Sequence, residues 1–243
     1  MVSVAAFAPE TNGFRFPNSF PTAPVITLPI PGWGPLPVGD VSNGLCGGMV
    51  FAARDFFESH QNLPIDANPP APGSPLFEMI VRRLIDSFDL PDGPLRYFQW
   101  MNLPDEDSWI GAGVATLTRA EAAKLRHEVD RGRLACLGLV RSHSHDPSDL
   151  GKNHQVLAYG YDLDEANRLT THLYDPNHPD GDTRVTIDLT PSAPLHLDYS
   201  SGEPTRGFFV SSYHKVDPRV ASDSGGGLSL VEQALWLLSR PFR

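Results

Sequence analysis

Apolar and polar positions alternate with different periods in different parts of the chain. From Leu45 to Glu58 apolar side chains cover almost the whole circumference for two turns, which predicts a helix buried on most sides with Asn43 as its N-cap. Helical spacing also runs from Leu76 to Phe88 and from Leu95 to Met101. Thr118 and Glu121 have the form of a capping box and open a polar helix reaching about Arg131. Beyond Gly132 the period changes. Leu134–Val140, His154–Tyr161, Leu169–Asp175, Thr183–Leu189 and Gly207–Tyr213 have strand lengths and are rich in Val, Thr, Tyr and Phe. Helices first and strands afterwards predict an α+β fold whose antiparallel sheet lies in the second half.

Two segments follow neither period. Residues 7–42 hold eight prolines and predict an irregular strap lying over the body. Residues 222–227 read as a flexible Gly/Ser linker, and Ser229 with Glu232 opens a C-terminal amphipathic helix carrying Val231, Ala234, Leu235 and Leu238. The expected organisation is one domain over residues 1–221 and a separate tail over 222–243, the tail helix being the candidate surface for a partner or for self-association.

Composition narrows the function. The 243 residues carry 19 Lys+Arg against 29 Asp+Glu, a formal net charge of −10, with no basic run. Nucleic acid and anionic membrane surfaces are therefore poor partners. No segment approaches the ~20 apolar residues that span a bilayer. The first basic residue is Arg15, so the N-terminus does not read as a signal peptide, and the cytoplasm or leaderless secretion is expected. Two cysteines, Cys46 and Cys136, are too few for a disulfide framework or a cysteine-rich zinc site.

Chemistry gathers at three places. Cys46 lies near the start of the buried helix, where the dipole and unpartnered N–H groups favour thiolate, and Gly47 and Gly48 would let a substrate backbone come close. His154 begins a strand whose period places it on one face with Val156, Ala158 and Gly160, and that face is expected to pack on the helix. If the turn at 162–167 pairs Tyr161 with Arg168, His154 falls directly opposite Asp175, and the carboxylate can orient the imidazole. A slip of one residue in that register would remove the contact.

Asn43-Gly44-Leu45-Cys46-Gly47-Gly48-Met49, His154 to Asp162, and Tyr174-Asp175-Pro176, in that order, resemble the papain-like cysteine peptidase superfamily, most closely the bacterial peptidases that process double-glycine leaders. The resemblance covers about 30 residues in three blocks. It implies a papain-like fold with a central nucleophile helix packed on an antiparallel β-sheet, with Cys46 as nucleophile, His154 as general base and Asp175 as its orienter. A peptide or amide substrate, cleaved through a thioester and without a cofactor, follows from the same resemblance. The superfamily places an oxyanion-hole glutamine six residues before the cysteine, where this chain has Asp40; Asn43 is the candidate substitute, with the Cys46 N–H as second donor.

Two alternatives stand beside this reading. Asp40 in place of the glutamine suits an inactive binding module on the same fold. A metal-dependent hydrolase could instead draw on His143, His145, Asp146, His154, His178, Asp180 and Asp182, although Pro147 and Pro179 stand at ligand positions of the patterns these residues approach.

Overall fold

The computed structural model describes residues 1–20, 26–30, 34–38, 44–89, 92–109, 111–191 and 194–219. The tail over 222–243 and the proposed C-terminal helix lie outside the described residues. The class is α+β. Five helices, α1 (Pro9–Asn12), α2 (Cys46–Glu58), α3 (Pro75–Ser87), α4 (Asp92–Asn102) and α5 (Val114–Asp130), precede most of the sheet. The strands of the second half are β4 (Ala135–Val140), β5 (His154–Leu163), β6 (Arg168–Tyr174), β7 (Thr183–Asp188), β8 (Leu197–Tyr199) and β9 (Gly207–Val210). They form one sheet in the order β8-β7-β6-β5-β4-β9, antiparallel at every pairing. The short β1 (Val2–Ser3) joins β5 beside Gly160 and Tyr161, past the point where β4 ends. None of the helices among the described residues is long and apolar enough to cross a membrane.

The sheet divides two apolar clusters. On one face Leu157 and Tyr174 pack with Met49, Val50 and Phe51 of α2 and with Phe77, Ile80 and Leu84 of α3. On the other, Val156, Ala158, Leu137 and Leu173 pack with Ala122, Leu125 and Val129 of α5. The face carrying Val156 and Ala158 is thus turned away from α2, against the expectation. Helix α2 covers the opposite face because its apolar residues meet Leu157, not Val156.

The strap is more ordered than its prolines suggest. Residues Ile26–Ile30 (β2) and Gly34–Val38 (β3) form an antiparallel hairpin in which Pro29 opposes Pro35 and Thr27 opposes Pro37. A Pro–Pro pair exchanges no N–H bonds, and antiparallel pairs alternate in type, so Pro37 also falls where no donor is needed. Upstream, Phe14, Phe16 and Phe20 are buried while Arg15, Pro17 and Ser19 are exposed, a period of two that pins this stretch over α2 and α3. Phe20 meets Phe77 of α3 with ring centroids 6.0 Å apart.

Helix α5 starts five residues earlier than its capping-box pattern indicates, with Gly113 at the cap in place of Thr118. The first turn is satisfied from the preceding loop. Pro104 O accepts from Val114, Asp105 O from Ala115, and Asp107 Oδ1 from Gly113. Thr118 is left buried within the helix, and Glu121 turns instead to Arg96, Lys124 and the Val210 N–H. Helices α2 and α3 are clamped by a buried charge pair. Asp55 is wholly buried and lies 2.6 Å from Arg83 Nε, and it also accepts from the Tyr213 hydroxyl and the Val216 N–H.

Candidate active site

Cys46 is the first residue of α2. The cap position belongs to Leu45, which makes no side-chain cap bond, so Asn43 is not the cap; its side chain lies outside the described residues, as does Asp40. A helix that opens without a side-chain cap leaves its first N–H groups directed at whatever stands before it. The His154 imidazole and the Gln155 and Gly47 N–H groups stand around the Cys46 sulfur and favour its charged form. Burial raises the thiol's pKa, but the charge and hydrogen bond of His154 and the two backbone donors outweigh it, and the net direction is down.

Gly47 and Gly48 serve packing. A Cβ at Gly48 would overlap the Ile80 carbonyl oxygen, and one at Gly47 would overlap Ser87 Oγ and crowd the Gln155 amide. These glycines bring α2 against α3 and the start of β5, where larger residues would hold them apart. The expected role of admitting a substrate backbone is not what the space around them is used for.

His154 begins β5, opposite Leu139 of β4, and is 3% exposed. Its backbone oxygen accepts from the Tyr97 hydroxyl of α4 at 3.0 Å. Its Nε2 lies 2.6 Å from Asp175 Oδ1, leaving Nδ1 as the nitrogen for the thiol. Burial alone would lower the imidazole pKa. The Cys46 and Asp175 charges and the hydrogen bonds to both reverse that and carry it to about 9. Asp175 is 1% exposed, and burial alone would push its carboxyl up. The His154 charge and bonds from His154, the Tyr199 hydroxyl and the Asn177 N–H instead hold it down at about 2. All three shifts favour the charged forms, thiolate, imidazolium and carboxylate in a row.

The register that produces this row is not the expected one. Tyr161 pairs with Thr171 rather than Arg168, and a bulge skips Tyr159 before Leu157 meets Tyr174. Asp175 follows the last residue of β6, and Asn177 folds back to donate to its Oδ1 at 2.8 Å.

Residues that sequence reasoning passed over complete the site. Tyr199 of β8 donates to Asp175 Oδ2. Asn18 of the strap accepts from the Leu45 N–H at 2.6 Å and donates to Asn177 Oδ1 at 3.0 Å. The signal for Asn18 was present: it occupies an inward position in the alternation Phe14, Phe16, Asn18, Phe20, the one polar member of that set. A cleft of about 300 Å³ opens beside His154, lined by Asn18, Gly44, Arg141, Lys152 and Asn177 among others. A larger cavity of about 630 Å³ lies between α5 and residues 210–213, away from these groups; its Arg54, Arg96 and Lys124 are already paired with Glu58 and Glu121.

The dense set of histidines and aspartates does not assemble. Of its seven members only His178 joins a group of ligand atoms within 4.8 Å of one another among the described residues, with Asp175 and Glu203. Both oxygens of Asp175 are already occupied, and Glu203 binds Arg141 at 2.6 Å, so the donors fit a metal poorly. Asp146 caps the short 3-10 turn Pro147–Lys152, and Asp182 pairs with Arg184.

No protein-family model matches the chain, and neither the curated proteins nor the solved structures include a significant match to it. The function has to be argued from the site.

Proposed function

We propose that this chain is a papain-like cysteine hydrolase that cleaves a peptide or amide bond through a covalent thioester. One observation carries the reading: a thiol at a helix N-terminus meets an imidazole whose other nitrogen is held by a buried carboxylate. Each member has a role that its surroundings suit.

In the acylation step the Cys46 thiolate adds to the substrate carbonyl, and the carbonyl electron pair moves onto oxygen. As that pair returns, the C–N bond breaks, and the His154 imidazolium gives its Nδ1 proton to the departing amine. A thioester to Cys46 remains. Neutral His154 then takes a proton from water, the resulting hydroxide attacks the thioester, and the acid leaves as the thiolate and imidazolium are restored. Asp175 stays ionised throughout and fixes the ring by its bond to Nε2. Tyr199 and Asn177 fix the carboxylate in turn.

The test is labelling by a thiol-reactive peptide probe, with the modified residue mapped, alongside turnover of an activated ester. Modification at Cys46 is expected, with turnover abolished in Cys46→Ala and reduced by a comparable factor in His154→Ala, because the two act as a unit. Turnover that survives Cys46→Ala would overturn the reading. Labelling without turnover would leave a binding module.

A further inference from the structure

We infer that Asn18, on the N-terminal strap, is the side-chain donor of the oxyanion hole, with the Cys46 N–H as the second donor. This rests on the hydrolase reading and supplies the group that reading lacks, since Asp40 stands where the glutamine would be. An addition to a carbonyl places negative charge on one oxygen, and a site that stabilises it needs two N–H groups converging near the nucleophile. Cys46, as first residue of its helix, offers a backbone N–H with no intrahelical acceptor. The Asn18 amide lies one peptide away, its Oδ1 2.6 Å from the Leu45 nitrogen.

Three hydrogen bonds hold that amide in place. The Asn18 N–H donates to Pro176 O at 2.8 Å, Oδ1 accepts from Leu45, and Nδ2 donates to Asn177 Oδ1 at 3.0 Å. Asn177 in turn binds Asp175. The strap residue therefore joins the start of the nucleophile helix to the loop that carries the orienting carboxylate. An amide nitrogen has two hydrogens, and the Asn177 bond uses one. The other has no acceptor among the described residues, and Asn18 lines the same opening as His154 and Gly44.

The local sequence is built around this side chain. Phe16 and Phe20, both buried, fix the backbone on either side of it. Gly44 takes φ +58 and leaves a space into which the Asn18 amide fits; a Cβ there would collide with Nδ2. An inward asparagine between two core phenylalanines has little to offer packing. It places a fixed, half-buried amide beside the start of the nucleophile helix.

The test compares two reactions of Cys46 in the full chain. Alkylation by iodoacetamide develops no oxyanion, whereas reversible addition to N-acetyl dipeptide aldehydes forms a tetrahedral hemithioacetal whose oxygen occupies the hole. Asn18→Ala should weaken aldehyde binding by a factor on the order of 10²–10³, far more than it slows the plateau rate of alkylation. Asn18→Asp keeps the acceptor for the Leu45 N–H and removes both amide hydrogens, the one on Asn177 included, so it should lose aldehyde affinity in a chain that still folds. Aldehyde affinity that survives both substitutions overturns the proposal. So does a parallel fall in alkylation and aldehyde binding, which marks a purely positioning role. A wild-type chain whose Cys46 takes up iodoacetamide only after denaturation sinks the nucleophile reading itself, a failure distinct from the other two.

Discussion

His154 Nε2 and Asp175 Oδ1 lie 2.6 Å apart although no strand pairing places the two residues opposite each other. On the turn side of β5 and β6, Gly160 pairs with His172. Continued without interruption, that register would set Asp175 opposite Leu157, on the face covered by α2. The bulge drops Tyr159 from the ladder, so that Leu157 meets Tyr174 and the next pair would be Val156 with Asp175. Asp175 then shares a face with His154, two residues further along. Diagonal neighbours of this kind are ~7–8 Å apart at Cα, a gap that an imidazole and a carboxylate close between them. One extra residue in β5 decides which side of the sheet the carboxylate serves.

The charge on Cys46 and then that on Asp175 hold the imidazole pKa at about 9 against burial. Asp175→Asn keeps the shape and removes the charge. The imidazolium is then less stable, so its pKa falls and the thiolate loses part of its partner. The pH–rate profile for turnover should narrow from both sides, each limb moving by about 1–3 pH units. Measuring kcat/KM from pH 4 to 10 decides it; an unmoved alkaline limb would mean that Asp175 does not govern His154.

The hairpin illustrates how much of the site was legible. The residue types and their order pointed to Cys46, His154 and Asp175, and the period of β5 put His154 at its start. The register did not follow, because the turn was placed by polarity and a bulge has no polarity signature. The expected and observed pairings near His154 differ by two residues, an even number, so both put the carboxylate on His154's side of the sheet. Gly47 and Gly48 were read as space for substrate because a neighbouring helix that contacts only backbone leaves no trace in the local sequence. Asn18 was hidden by the prolines around it, though the alternation of its phenylalanines was there to be read. The caps failed for a related reason: Thr118 and Glu121 match a capping box by spacing, and tertiary partners in the 104–107 loop made the turn start elsewhere.

The two cysteines should separate under alkylation. Cys136 is wholly buried, and burial pushes its thiol up to about 11 despite the nearby Arg54. Cys46 is 7% exposed and shifted the other way by His154. Iodoacetamide at pH 6 should modify Cys46 and spare Cys136, where an unperturbed thiol of pKa about 8.5 would scarcely react. His154→Ala should move the Cys46 reaction to higher pH. Mass mapping of the labelled peptides reads both, and equal modification of the two thiols in native protein would contradict the assigned environments.

Gly48 should tolerate no side chain. The Cβ of an alanine would fall on the Ile80 carbonyl, a backbone atom that can yield only by moving α3. Overpacking of this kind costs about 1–3 kcal/mol, and Gly48→Ala should lower the denaturation midpoint by a corresponding amount. Gly132, with φ +71 and open space around it, makes a useful contrast, since alanine there meets backbone strain but no neighbour. A Gly48→Ala protein as stable as the wild type would show that the helices are not in backbone contact.

Asp55 and Arg83 should be unequal under substitution. Both are buried, with side chains 0% and 2% exposed, and each has partners beyond the other. Removing the carboxylate in Asp55→Ala strands a guanidinium that keeps Asp86, the His214 carbonyl and the Phe51 and Tyr213 ring faces, and it frees the Tyr213 hydroxyl and the Val216 N–H as well. Breaking one side of a buried pair typically costs about 3–5 kcal/mol, because the other charge remains out of water. The double replacement Asp55→Leu with Arg83→Met removes both charges and should recover a large part of that loss. Urea unfolding of the wild type and the two variants measures it: a double variant no more stable than Asp55→Ala would mean that the cost comes from the Tyr213 and Val216 bonds, and that the ion pair itself contributes little to holding α2 on α3.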